Sequence, residues 1–312
     1  MILGIDTSNY TTSAALVSES GEVLLNKKIP LPVKEGERGL RQSDAVFHHV
    51  KNLPLAMEAV GAVLRERPED PVRVVGVSES PRDAEGSYMP CFLVGKGTAE
   101  SLGAAFARPV AYFSHQAGHI AAALFSAGRL DWLDRTFLAF HVSGGTTEAV
   151  KVTPDPERIL RAERVAESLD LKAGQAIDRV GVTLGLPFPA GPALDALSRE
   201  SEKTYRVKPF LRDGNCSLSG VQNRCEQMKA AGEADRDIAR YCVESVCAAL
   251  RGMTRALCEK YPGLPLLYSG GVMSNSLIRE RFTEEFGAVF AAPGYSSDNA
   301  VGIAVLGATR TP

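Results

Sequence analysis

The amino-acid sequence predicts an α/β protein of two lobes. Three observations carry that expectation. Apolar runs of strand length alternate with helix-length periodic segments along the chain. A strand–turn–strand pattern recurs at the start of each half. The 312 residues also exceed what one small core holds and suit two domains of ordinary size.

Each element follows in order. MILGIDTS, TTSAALVS and GEVLLNKKIPL read as a three-strand meander, with SES-GE as a polar, glycine-containing turn. Ser43 to Arg67 has helical spacing, and Pro54 is expected to kink or split that helix. VRVVGVS reads as a buried strand, GTAESLGAAFA as a helix and PVAYFS as a further strand. The second half opens on the strand TFLAFHVSGG followed by TTEAVKVTP. GQAIDRVGVTLGL predicts a helix ended by Gly185 and Pro187, and PFPAGPALDALS a Gly/Pro turn opening another. Residues 201–233 are polar and basic, with Lys203, Arg206, Lys208, Arg212, Arg224 and Lys229. Asp235–Lys260 is a long amphipathic helix. LPLLYSGGVMSNSLIRERF is strand, glycine turn and helix, and YSSDNAVGIAVLGA a loop and last helix.

Thr146–Val152, TTEAVKV, set under Thr11–Val17, TTSAALV, matches at four of seven positions. Chance among small residues explains that much alone. The matching strand–turn–strand context adds to it and points to an internal duplication. Two such turns present backbone N–H groups toward a shared cleft and suit a phosphate chain.

Composition narrows the class. With 45% hydrophobic and 23% charged residues, the chain reads as soluble and globular. A net charge of -2 argues against a broadly cationic nucleic-acid binder, so RNA would meet a local basic patch or one shared with a partner. The N-terminus lacks the pattern of a signal peptide, and no apolar run is long enough to span a membrane. The six cysteines form no CxxC pair and read as buried, reduced thiols of a cytoplasmic protein.

His115 and His119 in HQAGH stand at i and i+4, on one helical face. That spacing lets two imidazoles reach one metal, and it equally suits a capping or surface pair. Glutamate is missing from the second position, so zinc-peptidase chemistry is not supported. A metal needs a further ligand, for which Asp298 in SSDNA is the best-placed candidate; a helix N-cap is its other reading. The turns SGGTT (143–147) and SGGVMSN (269–275) each follow an apolar strand and let a ligand approach the backbone. Asn275 either caps the next helix or touches that ligand. Asp178, mid-helix among apolar neighbours, faces either solvent or a cleft. His48 and His49 splay to different faces, and with His141 they have no assigned role.

In this order, LGIDTSNYTTSAALV, HQAGHI, HVSGGTTEAV, AIDRVGVTLGLPFPAGPALDALS, CSLSGVQ, YSGGVMSNSLIRERF and YSSDNAVGIA resemble the motifs of the TsaD family. These are the threonylcarbamoyl-adenosine synthases of the actin/sugar-kinase/heat-shock-chaperone superfamily. The resemblance implies a two-lobed actin-like ATPase fold built from a duplicated unit. The N-terminal lobe would span 1–134, with 294–312 packing back onto it, and the C-terminal lobe 135–293. It implies that His115, His119 and Asp298 bind one divalent metal ion, iron or zinc. Val142, Ser143, Gly144, Gly145, Thr146, Asp178, Gly191, Asp195, Gly270, Gly271 and Asn275 would hold ATP or the adenylate.

The implied reaction moves a threonylcarbamoyl group from an adenylate, made by a separate enzyme, onto adenosine 37 of tRNA. Accessory proteins, paralogous subunits and a homo- or hetero-oligomer would take part. Asp6 and Asp178 are the candidates for handling the amine proton. The chain departs from the family in its first turn, where Asn9, Tyr10 and Thr11 replace Cys-Asp-Glu, and at Thr146, where histidine is usual. The family's GPG turn is replaced by SESPRDAEGSYMPCFLVG, which offers Arg82, Asp83 and Glu85 to the cleft. These departures describe a divergent paralogue. Two other functions fit the fold: a non-catalytic nucleotide-binding partner subunit, and a sugar-kinase-like phosphotransferase.

Overall fold

The computed structural model describes residues 1–8, 10–32, 40–296 and 300–309. In chain order, the strands β1 (Ile2–Ser8), β2 (Thr11–Val17) and β3 (Val23–Pro30) precede α1 (Gln42–Glu66). Next come β4 (Val74–Ser80), α2 (Phe92–Phe106), β5 (Val110–Ser114) and α3 (His115–Ser126). A short 3-10 turn at Leu130–Asp134 leads to β6 (Phe137–Val142), β7 (Thr147–Asp155) and β8 (Ile159–Glu167). Then follow α4 (Ala173–Thr183), α5 (Gly191–Arg199), β9 (Phe210–Arg212), β10 (Asn215–Ser217), α6 (Ser219–Ala230) and α7 (Asp235–Lys260). The chain ends with β11 (Leu266–Ser269), α8 (Ser276–Phe286), β12 (Val289–Phe290) and α9 (Val301–Ala308).

The chain divides into two compact units. The first holds Met1–Asp134, Thr153–Ala162 and Gly294–Pro312, and the second Arg135–Val152 and Glu163–Pro293. Thus the outer ends of β7 and β8 group with the first unit, a detail outside the boundary expected from the sequence.

In the first unit the sheet order is β3-β2-β1-β4-β5, antiparallel through β3, β2 and β1 and parallel through β1, β4 and β5. β1 is buried along its length, as a central strand covered on both faces must be. Its side chains alternate. Leu3 and Ile5 pack with Leu53, Val60 and Ala99 of α1 and α2, while Ile2 packs with Val301 and Val305 of α9. α9 comes so close that Gly4 and Gly76 are required beneath it. A Cβ on Gly76 would lie 2.9 Å from the Ile303 carbonyl oxygen, and one on Gly4 would overlap that of Ala300. α3 and α9 cross at Gly118 and Gly302, where a Cβ on Gly302 would overlap the Gly118 carbonyl. The expected split of α1 does not occur. Pro54 sits on the exposed face of one unbroken helix, so the carbonyl it leaves without a helical partner is not buried in the core.

In the second unit the order is β12-β11-β6-β7-β8, with β6 antiparallel to β7 and parallel to β11, itself parallel to β12. The core lies between this sheet and the helices, with Phe140, Tyr268 and Phe282 in ring contact and Val246, Leu250 and Met253 of α7 packed nearby. The two sheets share one strand order, with β6, β7, β8, β11 and β12 standing where β1, β2, β3, β4 and β5 stand. Register agrees too: Asp6 pairs with Ser13 in one sheet and His141 with Glu148 in the other. The TTSAALV and TTEAVKV match therefore has a structural counterpart.

Candidate functional site

In the first unit, α3 starts directly at the end of β5. The Ser114 side chain makes that start: its Oγ accepts from Ala117 N at 3.1 Å and donates to Asp83 Oδ2 at 2.9 Å. His115 is therefore the first helical residue and His119 stands one turn on, with ring centroids 4.3 Å apart. Both rings are half-buried. Behind them Asp6, fully buried at the end of β1, places Oδ2 3.1 Å from His115 Nδ1. Ser78 Oγ, on the neighbouring strand β4, donates to Asp6 Oδ1. A carboxylate removed from water needs such partners.

This carboxylate–imidazole contact is the arrangement that orients metal-ligating histidines: with Nδ1 engaged, the ring would ligate through Nε2. Among the described residues, no group of three His, Cys, Asp or Glu side chains forms a metal cluster. The expected third ligand, Asp298, lies outside the described residues, as does Asn9. Thr11 begins β2, and Tyr10, in the turn just before it, accepts from Leu31 N at its carbonyl oxygen at 2.8 Å.

Deeper in the same unit, His49 is fully buried, with Nδ1 2.8 Å from Thr12 Oγ1. Burial pushes His49 below the ordinary histidine value, against the pull of the Asp6 carboxylate. Burial likewise pushes the Cys91 thiol up to about 11, with Asp6 adding to it, which removes Cys91 as a nucleophile near neutrality. The segment offered by the sequence at residues 82–85 lines a pocket of about 600 Å³ in this unit. Arg82, Asp83 and Glu85 face it together with Ser114, Arg158 and Arg161. Arg158 Nη1 lies 3.4 Å from Asp83 Oδ1.

In the second unit, the two glycine turns meet. Gly270 has φ of +100°, and a Cβ there would overlap the Val142 carbonyl. Gly174, at the start of α4, sits against the other turn: its N donates to Ser143 O at 3.1 Å, and a Cβ would fall 2.6 Å from Gly144 N. A pocket of about 610 Å³ opens beside them, lined by Gly144, Asp178, Gly191, Asp195, Gly271 and Asn275 among others. Val142 is buried beneath it, and Ser143, Gly145 and Thr146 shape the turn without lining it. Thr146 N donates to Ser143 Oγ at 3.1 Å, closing the turn.

Asp178 is half-buried on the wall, its Oδ1 accepting from Ala190 N at 2.9 Å. Asn275 does two things. Its Oδ1 accepts from Ile278 N at 3.1 Å, capping α8, and its Nδ2 donates to Asp195 Oδ1 at 2.9 Å. His141 Nδ1 lies 3.1 Å from Ser269 Oγ on β11, the counterpart of the Asp6–Ser78 contact in the other sheet. Sequence reasoning missed Ser78, His49 and Gly174. Only Gly174 left a local signal, a glycine in the first turn of a predicted helix.

The family model that matches this chain is TsaD, tRNA N6-adenosine threonylcarbamoyltransferase, over residues 33–305. The tRNA N6-adenosine threonylcarbamoyltransferase of Enterococcus faecalis is 32% identical over 291 residues, covering 90% of this chain and 79% of that protein. The protein of the same name from Streptococcus sanguinis is 30% identical over 295 residues, covering 91% and 83%.

Among solved structures, full-length HypF in its phosphate- and nucleotide-bound form superposes with a TM-score of 0.61 at 13% identity, over 99% of this chain and 55% of that one. Component A of the (R)-2-hydroxyglutaryl-CoA dehydratase of Acidaminococcus fermentans gives 0.52 at 14%, over 99% and 98%. The ROK hexokinase of Thermus thermophilus gives 0.50 at 14%, over 100% and 99%. At such identities these likenesses show the fold alone, the α/β fold shared by actin-like ATPases and sugar kinases. The sequence relatives and the family model carry the assignment further: the chain belongs to the TsaD family of transferases.

Proposed function

We propose that this chain transfers a threonylcarbamoyl group from threonylcarbamoyl-adenylate to N6 of adenosine 37 of tRNA, with a divalent ion, iron or zinc, held at His115 and His119. In that reaction the N6–carbamoyl carbon bond forms, the bond from that carbon to the adenylate oxygen breaks, AMP leaves, and the amine proton passes to a base. The observation that carries the reading is the pair of imidazoles on α3 with the buried Asp6 behind His115. These residues fit a metal: two nitrogen ligands on one helical face, one of them oriented by a carboxylate. Asp298 would complete the set. When bound, such an ion supplies Lewis-acid polarisation of a carbonyl oxygen.

The remaining work falls to the chain's own residues. Asp6 holds His115 in one tautomer and orientation. The turns at 142–146 and 270–271 let a phosphate approach backbone N–H groups closely. Asp178, with one oxygen bound to Ala190 N, offers the other to a ligand's hydroxyl or amine hydrogen. Asp195 and Asn275 brace each other across the pocket. An adenylate-forming enzyme supplies the donor, and accessory and paralogous subunits present the tRNA, in the cytoplasm. A phosphotransferase reading rests on fold alone.

The test supplies threonine, bicarbonate, ATP, the adenylate-forming enzyme, accessory proteins and tRNA, then digests the tRNA and measures nucleosides by mass spectrometry. Threonylcarbamoyladenosine is expected with metal-loaded protein and not with His119→Ala. Its absence from the metal-loaded reaction removes the assignment.

A further inference from the structure

Phe188 is 78% exposed, more than any other large apolar side chain among the described residues. Phenyl rings rarely stand so far out of a fold that has a core to offer. Its loop is not loose. Leu186 N donates to Gly181 O at 2.9 Å on one side, and Ala190 N donates to Asp178 Oδ1 at 2.9 Å on the other. Gly181 is required there, because a Cβ would overlap the Ala190 methyl. Pro187 and Pro189 fix the backbone on both sides of the ring. The exposed arch 187–189 is thus tied to α4 at both feet, and presenting the ring to a partner costs little further ordering.

Two observations say what the ring meets. Pro189 and Gly191, which follow it, line the pocket of the second unit, so Phe188 stands at that pocket's lip. A cation also stands on the helix that holds the loop. Arg179 is exposed, follows Asp178 on α4, and donates from Nη1 to Gln222 Oε1 of α6 at 3.1 Å. An exposed ring on a stiff loop, with a cation on the helix that holds it, is how proteins hold unpaired bases: the ring stacks on the base and the cation meets a phosphate.

We propose that Phe188 is the stacking platform for a base of the RNA substrate, drawn out of its single-stranded loop and held over the pocket. This rests on the reading that RNA is the acceptor. The occupant is not the adenine of the adenylate, which belongs inside the pocket. Phe188 does not line the pocket wall.

The test compares Phe188→Ala, Phe188→Leu and Phe188→Tyr with wild type in the full chain. Binding of an anticodon stem–loop RNA, KM and kcat with tRNA, and AMP affinity are measured together. Alanine and leucine are expected to weaken RNA binding and raise the KM for tRNA about 5- to 150-fold. Tyrosine should stay within about threefold of wild type, since its π-face is retained. AMP affinity should not change. The slope of RNA affinity against salt should also hold, because no phosphate contact is lost.

An alanine variant that binds RNA as wild type does, a leucine variant equal to tyrosine, or weakened AMP binding would each overturn the inference while wild-type activity stands. Wild-type protein that neither binds RNA nor modifies it overturns the acceptor reading, and this inference with it.

Discussion

Asp6 and His115 lie 109 residues apart in sequence, yet the carboxylate Oδ2 and the ring Nδ1 are 3.1 Å apart. The carboxylate is fully buried and the imidazole is half-buried. If Asp6 orients the ring for metal, Asp6→Asn should weaken iron or zinc binding about 10- to 100-fold while His115→Ala and His119→Ala abolish it. Metal titration with a chromophoric chelator reads this directly. Unchanged affinity in Asp6→Asn would mean that the contact is only structural.

The two glycine turns separate folding from binding. Gly270→Ala places a Cβ on the Val142 carbonyl at a left-handed φ and should destabilise the protein by roughly 2–4 kcal/mol. Gly144→Ala points its Cβ into open space, so thermal stability should move by no more than about 0.5 kcal/mol. Its effect should appear instead in nucleotide affinity, because Gly144 lines the pocket. Denaturant melts beside AMP titrations distinguish the two.

His49 gives stability a pH dependence. Its folded value lies below the ordinary 6.5, so the unfolded chain binds a proton that the native chain does not. Stability therefore falls as pH drops below 6.5 and levels off once the folded group also protonates. Urea melts from pH 7.5 to 5 should show this slope, reduced in His49→Asn, which keeps a partner for Thr12. An equal slope in both proteins would assign the acid sensitivity elsewhere.

The thiols should be inert in the native state. All six are free, five are buried, and burial pushes Cys91 and Cys216 up to about 11. Alkylation with iodoacetamide at pH 7.5 should label at most Cys258 before denaturation and all six after it. Labelling of Cys91 in native protein would contradict its burial.

Legibility in the sequence followed the range of the signal. β1 and β2 announced themselves through short apolar runs around a polar turn, and α7 through a long amphipathic period. The duplication needed only local comparison. The β9–β10 hairpin, α6 and β12 escaped, as did β8, which buries only Leu160 and Ala166 of its nine residues. The hairpin strands are three residues each, β12 is two residues long, and α6 buries only Val221, Cys225 and Met228 on an otherwise polar surface.

At the candidate site, the His115–His119 spacing is a property of one helix and could be read there. That Asp6 meets His115 depends on how β1 and α3 pack, which no window of sequence encodes. The same holds for Asp195 with Asn275, 80 residues apart.

Gly118 and Gly302 let the last helix lie against the one that carries the histidines, and Gly4 and Gly76 let it lie against the sheet. A ribosome delivers that sheet's strands first and this helix nearly two hundred residues later. Until α9 is made, Ile2 and Val74 therefore have no cover from it, and the nascent chain carries an exposed apolar face of the kind that aggregates. The histidine-bearing segment therefore reaches its final seat only after α9 has been made.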